Sequence, residues 1–311
     1  MRYLDAAELA ERLPWPALVQ ALRSAFTQDF EVPLRHSHSI HNPGGEDGMV
    51  LIMPAWQPGR HFGVKTVNIF PGNRARGLPG LHAVYALFDA TTGVPLALLD
   101  GSELTARRTA AASALASDLL ARPDARSLLL VGAGRVGTLM TGALRAVRPG
   151  IERIAVWNRS PAGAEALAST LRGQGLAAQA VTDLPAAVGQ ADIVSCATLS
   201  TAALVHGDWL QPGAHLDLIG GFTPAMREAD GRCLARGRVF VDTAEALAKS
   251  GDLLSAIREG LFDAAAVQAT LAQLCRGERP GRTGADDITV FKTVGTALAD
   301  LAAAELATGS A

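Results

Sequence analysis

A chain of 311 residues that is 49% hydrophobic can build a large apolar core and divides more naturally into two domains than one. Its 28 Lys and Arg against 30 Asp and Glu leave a formal charge of -2 with no block of like sign, which argues against nucleic acid or a membrane surface and points to a small-molecule partner. No stretch reaches the apolar length of a membrane span, charged residues interrupt any export signal near the N-terminus, and Cys196, Cys233 and Cys275 are isolated and odd in number, so a cytoplasmic protein with buried thiols is expected.

Leu4, Leu9, Leu13, Leu18 and Leu22 recur near helical spacing and predict short amphipathic helices at the start. The period then changes. Met49 to Met53, Phe62 to Phe70, Ala83 to Asp89 and Pro95 to Asp100 are short, partly β-branched or aromatic, and separated by turns such as Gln57-Pro58-Gly59, as in an antiparallel sheet. Leu104 to Leu120 is Ala-rich and predicts a connecting helix that Arg122-Pro123-Asp124 stops.

Regular alternation follows: Ser127 to Val131 as strand, Val136 to Val147 as helix, Arg153 to Trp157 as strand and Pro161 to Leu171 as helix. Further strands are expected at Ala178 to Val181, Ile193 to Ala197, His215 to Ile219 and Val239 to Asp242. Six strands in this cadence describe an α/β, doubly wound parallel sheet of the Rossmann type beside a second, α+β domain. Val290 to Ala307 reads as one closing helix.

Gly132-Ala133-Gly134-Arg135-Val136-Gly137 follows the apolar run Leu128 to Val131 and opens a helix. In that setting the first glycine permits the tight turn, the second the approach of a pyrophosphate and the third the packing of helix on strand, so a dinucleotide is expected here. An acidic residue at the end of the next strand would bond the ribose 2′-hydroxyl and repel a 2′-phosphate. This chain has Asn158-Arg159-Ser160 instead, which suits a phosphate and favours NADP, with NAD as the alternative.

Over nearly its whole length the chain resembles the ornithine cyclodeaminase and mu-crystallin family. The matching stretches are Val32-Pro33-Leu34-Arg35, Met53-Pro54-Ala55, Gly63-Val64-Lys65-Thr66-Val67, Phe70-Pro71-Gly72-Asn73, Gly77-Leu78-Pro79, Arg108-Thr109-Ala110-Ala111, the glycine loop and Phe291-Lys292-Thr293-Val294-Gly295. The resemblance implies a substrate and dimerisation domain at residues 1–115, completed by 290–311, around a dinucleotide domain at 116–289, in a homodimer. It also implies that Arg35, Lys65 and Arg108 meet a substrate carboxylate, with Lys65 and Arg108 catalytic. A carboxylate needs such cations to hold it and to fix the reacting carbon.

His82 is a further candidate for the pocket, whereas His36, His38 and His41 lack the carboxylate or thiolate companions of a metal site, so no metal is expected. Asp286, Asp287 and Asp300 read as helix-capping or surface groups. Four functions fit the resemblance: an NADPH-dependent reductase of a cyclic ketimine such as pyrroline-2-carboxylate or piperideine-2-carboxylate, an ornithine cyclodeaminase, an alanine dehydrogenase, and a non-catalytic NADP-binding protein. The Asn158 run favours the first and last, and the three cations together favour catalysis. Cyclodeaminases of the family place an Asp where this chain has Phe222, which cannot pair a distal ammonium, so ornithine should bind poorly unless Asp217 or Glu228 supplies the carboxylate.

Overall fold

The computed structural model describes residues Met1–Ser310, apart from the side chain of Arg74. It divides into two compact units, Met1–Arg108 with Thr296–Ala311, of which Ala311 lies outside the described residues, and Thr109–Gly295.

In the first unit β1 (Arg2–Leu4), β2 (His36–Ile40), β3 (Gly48–Trp56), β4 (His61–Ile69), β5 (Leu81–Asp89) and β6 (Pro95–Asp100) form one sheet in the order β1-β6-β5-β4-β3-β2. Strands β2 to β6 pair antiparallel with their neighbours, and β1 joins β6 in parallel. Alternation places Met53, Lys65, Tyr85 and Leu99 in register on one face, where all four are buried. The helix Ala297–Thr308 packs on β3, β4 and β5 and against the helix Trp15–Thr27. The opposite face, with Ile52, Val64, Val84, Ala86 and Phe88, is half-buried or exposed. Two strands escape the sequence pattern. Arg2–Leu4 precedes a helix and was expected to belong to it, while His36-Ser37-His38-Ser39-Ile40 is exposed along its whole length at the sheet edge, so no buried face marks it.

In the second unit β7 (Ser127–Val131), β8 (Arg153–Trp157), β9 (Ala177–Ala180), β10 (Ile193–Cys196), β11 (His215–Leu218), β12 (Arg238–Val241), β13 (Ala269–Thr270) and β14 (Thr289–Lys292) form a parallel sheet ordered β13-β12-β14-β11-β10-β7-β8-β9. Strand order reverses beside β7, and the crevice beyond the carboxyl ends of β7 and β10 is where such sheets bind ligands. Leu129, Val131, Val194, Cys196, Leu216 and Leu218 build the core on these central strands.

The sheet has eight strands where six were expected, and the segment expected as one closing helix from Val290 to Ala307 is instead a central strand followed by a helix. Thr289-Val290-Phe291-Lys292 is buried on both faces, so no alternation betrays it as a strand. Gly295, at φ +80, then turns the chain into the helix Ala297–Thr308. Because β14 belongs to this sheet, the chain leaves the second unit at Gly295 rather than at 289, and it enters the unit within the helix Gly101–Leu120, at Thr109 rather than at 116. Among the described residues no helix is long and apolar enough to cross a membrane.

Candidate active site

Lys65, on β4, points from the buried face of the first sheet and is 1% exposed; Arg108, on the helix Gly101–Leu120, is 5% exposed. Both end on Asp300, which the terminal helix carries at full burial. Lys65 Nζ lies 2.8 Å from Asp300 Oδ1 and 2.7 Å from Oδ2, and Arg108 Nε donates to Oδ1 at 2.7 Å. Burial pulls the Lys65 ammonium down, Asp300 pushes it back up, and Arg108 and Arg35 lower it again, for a value of about 8. Burial raises the Asp300 carboxyl, but the two cations outweigh it and hold the group below its ordinary value. Arg35 immediately precedes β2, is half-buried, and acts electrostatically on Lys65, so the structure brings all three predicted cations into one neighbourhood.

Asp300 is therefore no surface or capping group. The signal lay in its surroundings: Ala297-Leu298-Ala299-Asp300-Leu301-Ala302-Ala303-Ala304-Glu305 is apolar all round, which marks a buried helix, and an acid inside a buried helix needs a cation. Glu305, the second acid of this helix, has His61 as its partner, with Nδ1 2.8 Å from Oε1. Tyr85, opposite Lys65 in register, has a buried hydroxyl without a partner among the described residues, and Gly63 makes room for it, since a Cβ there would stand 1.8 Å from the oxygen. His82 goes elsewhere. It pairs with Asn68, on the opposite face from Lys65, and is exposed.

In the second unit the glycine loop has the shape a pyrophosphate requires. Gly132, at φ +110, lies so close to the end of β10 that a Cβ would stand 2.6 Å from the Ala197 carbonyl. A Cβ on Gly137 would meet the Gly132 carbonyl at 2.2 Å, whereas one on Gly134 would meet nothing within 4 Å. The turn is closed on the protein side and open over Gly134, and Val136 starts the helix Gly137–Val147 without a side-chain cap, which leaves backbone N–H groups for an anion. These residues fit a dinucleotide. Asn158 braces the loop: its Oδ1 accepts from the Ala133 N–H at 3.4 Å and its Nδ2 donates to the Ser160 carbonyl at 3.1 Å. Arg159 and Ser160 are exposed beside it.

A second buried ionic group lies past β10 and β11. Lys292 Nζ is 3.0 Å from Asp252 Oδ2 and also donates to the Gly220 carbonyl. Asp252 Oδ1 accepts from the N–H groups of Glu228 and Ala229 at 2.7 and 3.0 Å. Glu228 Oε1 accepts the Thr198 N–H at 2.6 Å and its hydroxyl at 2.8 Å, and Oε2 is buried without a partner among the described residues. Burial raises this carboxyl to about 8, with Asp252 adding to the rise and Lys292 opposing it. Asp217 is buried in β11, takes the Ser195 hydroxyl at 2.8 Å, and is raised by burial to about 6. Phe222, beyond Gly220 and Gly221, is 38% exposed. Lys292 stood in a matched motif without a role, and Glu228 and Asp252 are separated from it by too much sequence for spacing to join them. Among the described residues no group of three His, Cys, Asp or Glu is arranged to hold a metal.

The sequence pattern of the ornithine cyclodeaminase/mu-crystallin family matches residues 5–311. A Delta(1)-pyrroline-2-carboxylate reductase of Paracoccus denitrificans is 42% identical over 301 residues, covering 96% of this chain and 94% of the relative. Among solved structures, a Delta(1)-pyrroline-2-carboxylate reductase of Thermococcus litoralis, in complex with NADH and L-proline, superposes with a TM-score of 0.92 at 31% identity, covering 100% of this chain and 97% of its own. An archaeal alanine dehydrogenase dimer with bound NAD does so with a TM-score of 0.90 at 26% identity, covering 100% and 95%. The chain belongs to the ornithine cyclodeaminase/mu-crystallin family.

Proposed function

We propose that this member of the family is an NAD(P)H-dependent reductase of a cyclic ketimine imino acid, pyrroline-2-carboxylate or piperideine-2-carboxylate, giving proline or pipecolate. The observation that carries it is the pair of buried cations, Lys65 and Arg108, sharing the single carboxylate of Asp300. One positive charge of the pair is left for an anionic ligand, and the relatives named pyrroline-2-carboxylate reductases support an imino acid as that ligand. The first unit then serves as the substrate domain and the second as the dinucleotide domain.

Arg108, with Arg35, holds the substrate carboxylate, as planar guanidinium groups do by paired hydrogen bonds. When bound, the reduced dinucleotide supplies a hydride from its nicotinamide to the imine carbon. Lys65 gives a proton to the imine nitrogen, where the π pair of the C=N bond settles, and its value of about 8 keeps it an acid at neutral pH while leaving the proton easy to give. The Gly132 loop holds the pyrophosphate. Arg159 and Ser160 favour the 2′-phosphate of NADP, while Asn158 keeps the loop in place.

Oxidation of NADPH and NADH with pyrroline-2-carboxylate, piperideine-2-carboxylate, and pyruvate plus ammonia tests the reading, with ornithine as a further substrate. Turnover of a cyclic imine is expected, faster with NADPH, and Arg159→Ala should cost NADPH about tenfold in affinity and NADH nothing. Ornithine should give no proline, because Phe222 offers no carboxylate and Asp217 and Glu228 are buried and bonded to Ser195 and Thr198. Proline formed from ornithine at a rate rivalling imine reduction would overturn the reading, and equal affinity for both cofactors would remove the NADP preference.

The chain is assigned a dimer, a reading supported by the dimer of the archaeal relative, and the half-exposed sheet face bearing Ile52, Val64, Val84 and Phe88 is the surface we assign to the second copy. Light scattering should return twice the chain mass, and Val84→Lys should lower it. A monomer in the parent protein would refute this assignment.

A further inference from the structure

We propose that Asp300 is a positioning residue of the reduction: it grips the Arg108 guanidinium by Nε, leaving the two terminal nitrogens for the substrate carboxylate, and keeps Lys65 in its charged form. This rests on the imino-acid reading above. Three observations support it. Asp300 is fully buried in a helix turn that is otherwise apolar, a place where a carboxylate is costly without partners, and it has two. Its Oδ1 accepts from both Lys65 Nζ and Arg108 Nε, so one atom fixes the spacing of the two cations. The terminal nitrogens of Arg108 have no protein acceptor among the described residues, although the side chain is buried.

The charges that face Lys65 come from every element around it. Arg108, on the helix Gly101–Leu120, and Arg35, ahead of β2, disfavour its proton; Tyr85, on β5, is neutral at physiological pH, since burial raises its hydroxyl well above the ordinary value. Glu305, paired with His61, acts on Tyr85. Among the described groups that act most strongly on Lys65, Asp300 is the one that favours the ammonium. With that charge removed, burial and the two guanidinium groups act unopposed, and Lys65 should become neutral at a lower pH.

The chain has only three lysines, Lys65, Lys249 and Lys292, so the lysine side-chain carbons can be titrated individually by NMR in the full-length protein, with Lys65→Met identifying the Lys65 signal. The parent midpoint is expected at about 8. Asp300→Asn keeps the shape and should lower the midpoint by about one unit or more and raise the KM for the imino acid about tenfold or more, with dinucleotide affinity unchanged. Asp300→Glu, which restores the charge, should return the midpoint towards that of the parent. A side chain needed only for packing would move neither the Lys65 titration nor its rescue, so an unmoved midpoint in Asp300→Asn overturns the proposal. So does a parent midpoint below about 7, which keeps the test in force if the variant does not fold. Failure of the parent to reduce any cyclic imine would count against the enzymatic reading, and the titration would still decide whether Asp300 holds the Lys65 charge.

Discussion

Each unit buries a lysine against an aspartate, but the partners differ in number: Lys65 and Arg108 share the one carboxylate of Asp300, whereas two carboxyl groups, Asp252 and Glu228, face the one cation, Lys292. The second group can reach neutrality by itself, because Glu228 keeps its proton until about pH 8. The first cannot do so as long as Lys65 is charged, and it retains a net positive charge that the proposed carboxylate ligand would neutralise. A buried cluster that balances its own charge reads as architecture, and one that leaves a charge over reads as a binding site.

The largest effect that separates the two is on stability. Lys292→Met would strand Asp252 without its cation in the core, and a loss of about 3–5 kcal/mol is expected in denaturant unfolding. Lys65→Met should cost less, because Arg108 still pairs with Asp300. Equal losses in the two variants would erase the distinction. Activity should separate them in the other direction: Lys65→Ala and Arg108→Ala should each lower kcat/KM for the imino acid about a thousandfold, roughly 4 kcal/mol of transition-state stabilisation, with dinucleotide affinity unchanged. Parent-like turnover in either variant would end its assigned role.

The parts of the fold legible in the sequence are those whose burial leaves a period. The antiparallel strands alternate, and the β7-loop-helix-β8 unit shows an apolar run, a glycine loop and an amphipathic helix in order. Thr289–Lys292 has no period because both faces are buried, and His36–Ile40 has none because both are exposed. The cluster of cations proposed to bind the substrate was legible at Lys65, Arg108 and Arg35 through matched motifs. It was not legible at Asp300, which lies 192 positions from Arg108, since a single acid near a helix start has the local appearance of a cap. Only the apolar character of the whole terminal helix distinguishes a buried aspartate from an exposed one, and the assignment of Val290 to Ala307 as one helix hid where that helix begins.

The smallest and most specific prediction concerns Glu228. Its folded value of about 8 stands above its ordinary 4.5, so between those limits the folded protein holds a proton that the unfolded chain has lost. Stability contributed by this group is therefore fully present below about pH 4.5 and is lost as the pH rises towards 8. Glu228→Gln keeps the Oε1 acceptor for the Thr198 N–H and hydroxyl, places an amide where the partnerless Oε2 stands, and cannot ionise. Against the parent, the variant should gain in melting temperature from pH 5 to pH 8, after allowance for the constant offset of an amide in place of an acid. Lys65 contributes nothing to that difference, because it titrates alike in both proteins. Turnover of the imino acid at pH 7 should stay within about twofold of the parent, since Glu228 is neutral there and touches neither Lys65 nor Arg108. A gap in melting temperature that is flat across the range would mean that Glu228 is ionised in the folded protein, and the second cluster would then carry a surplus charge of its own.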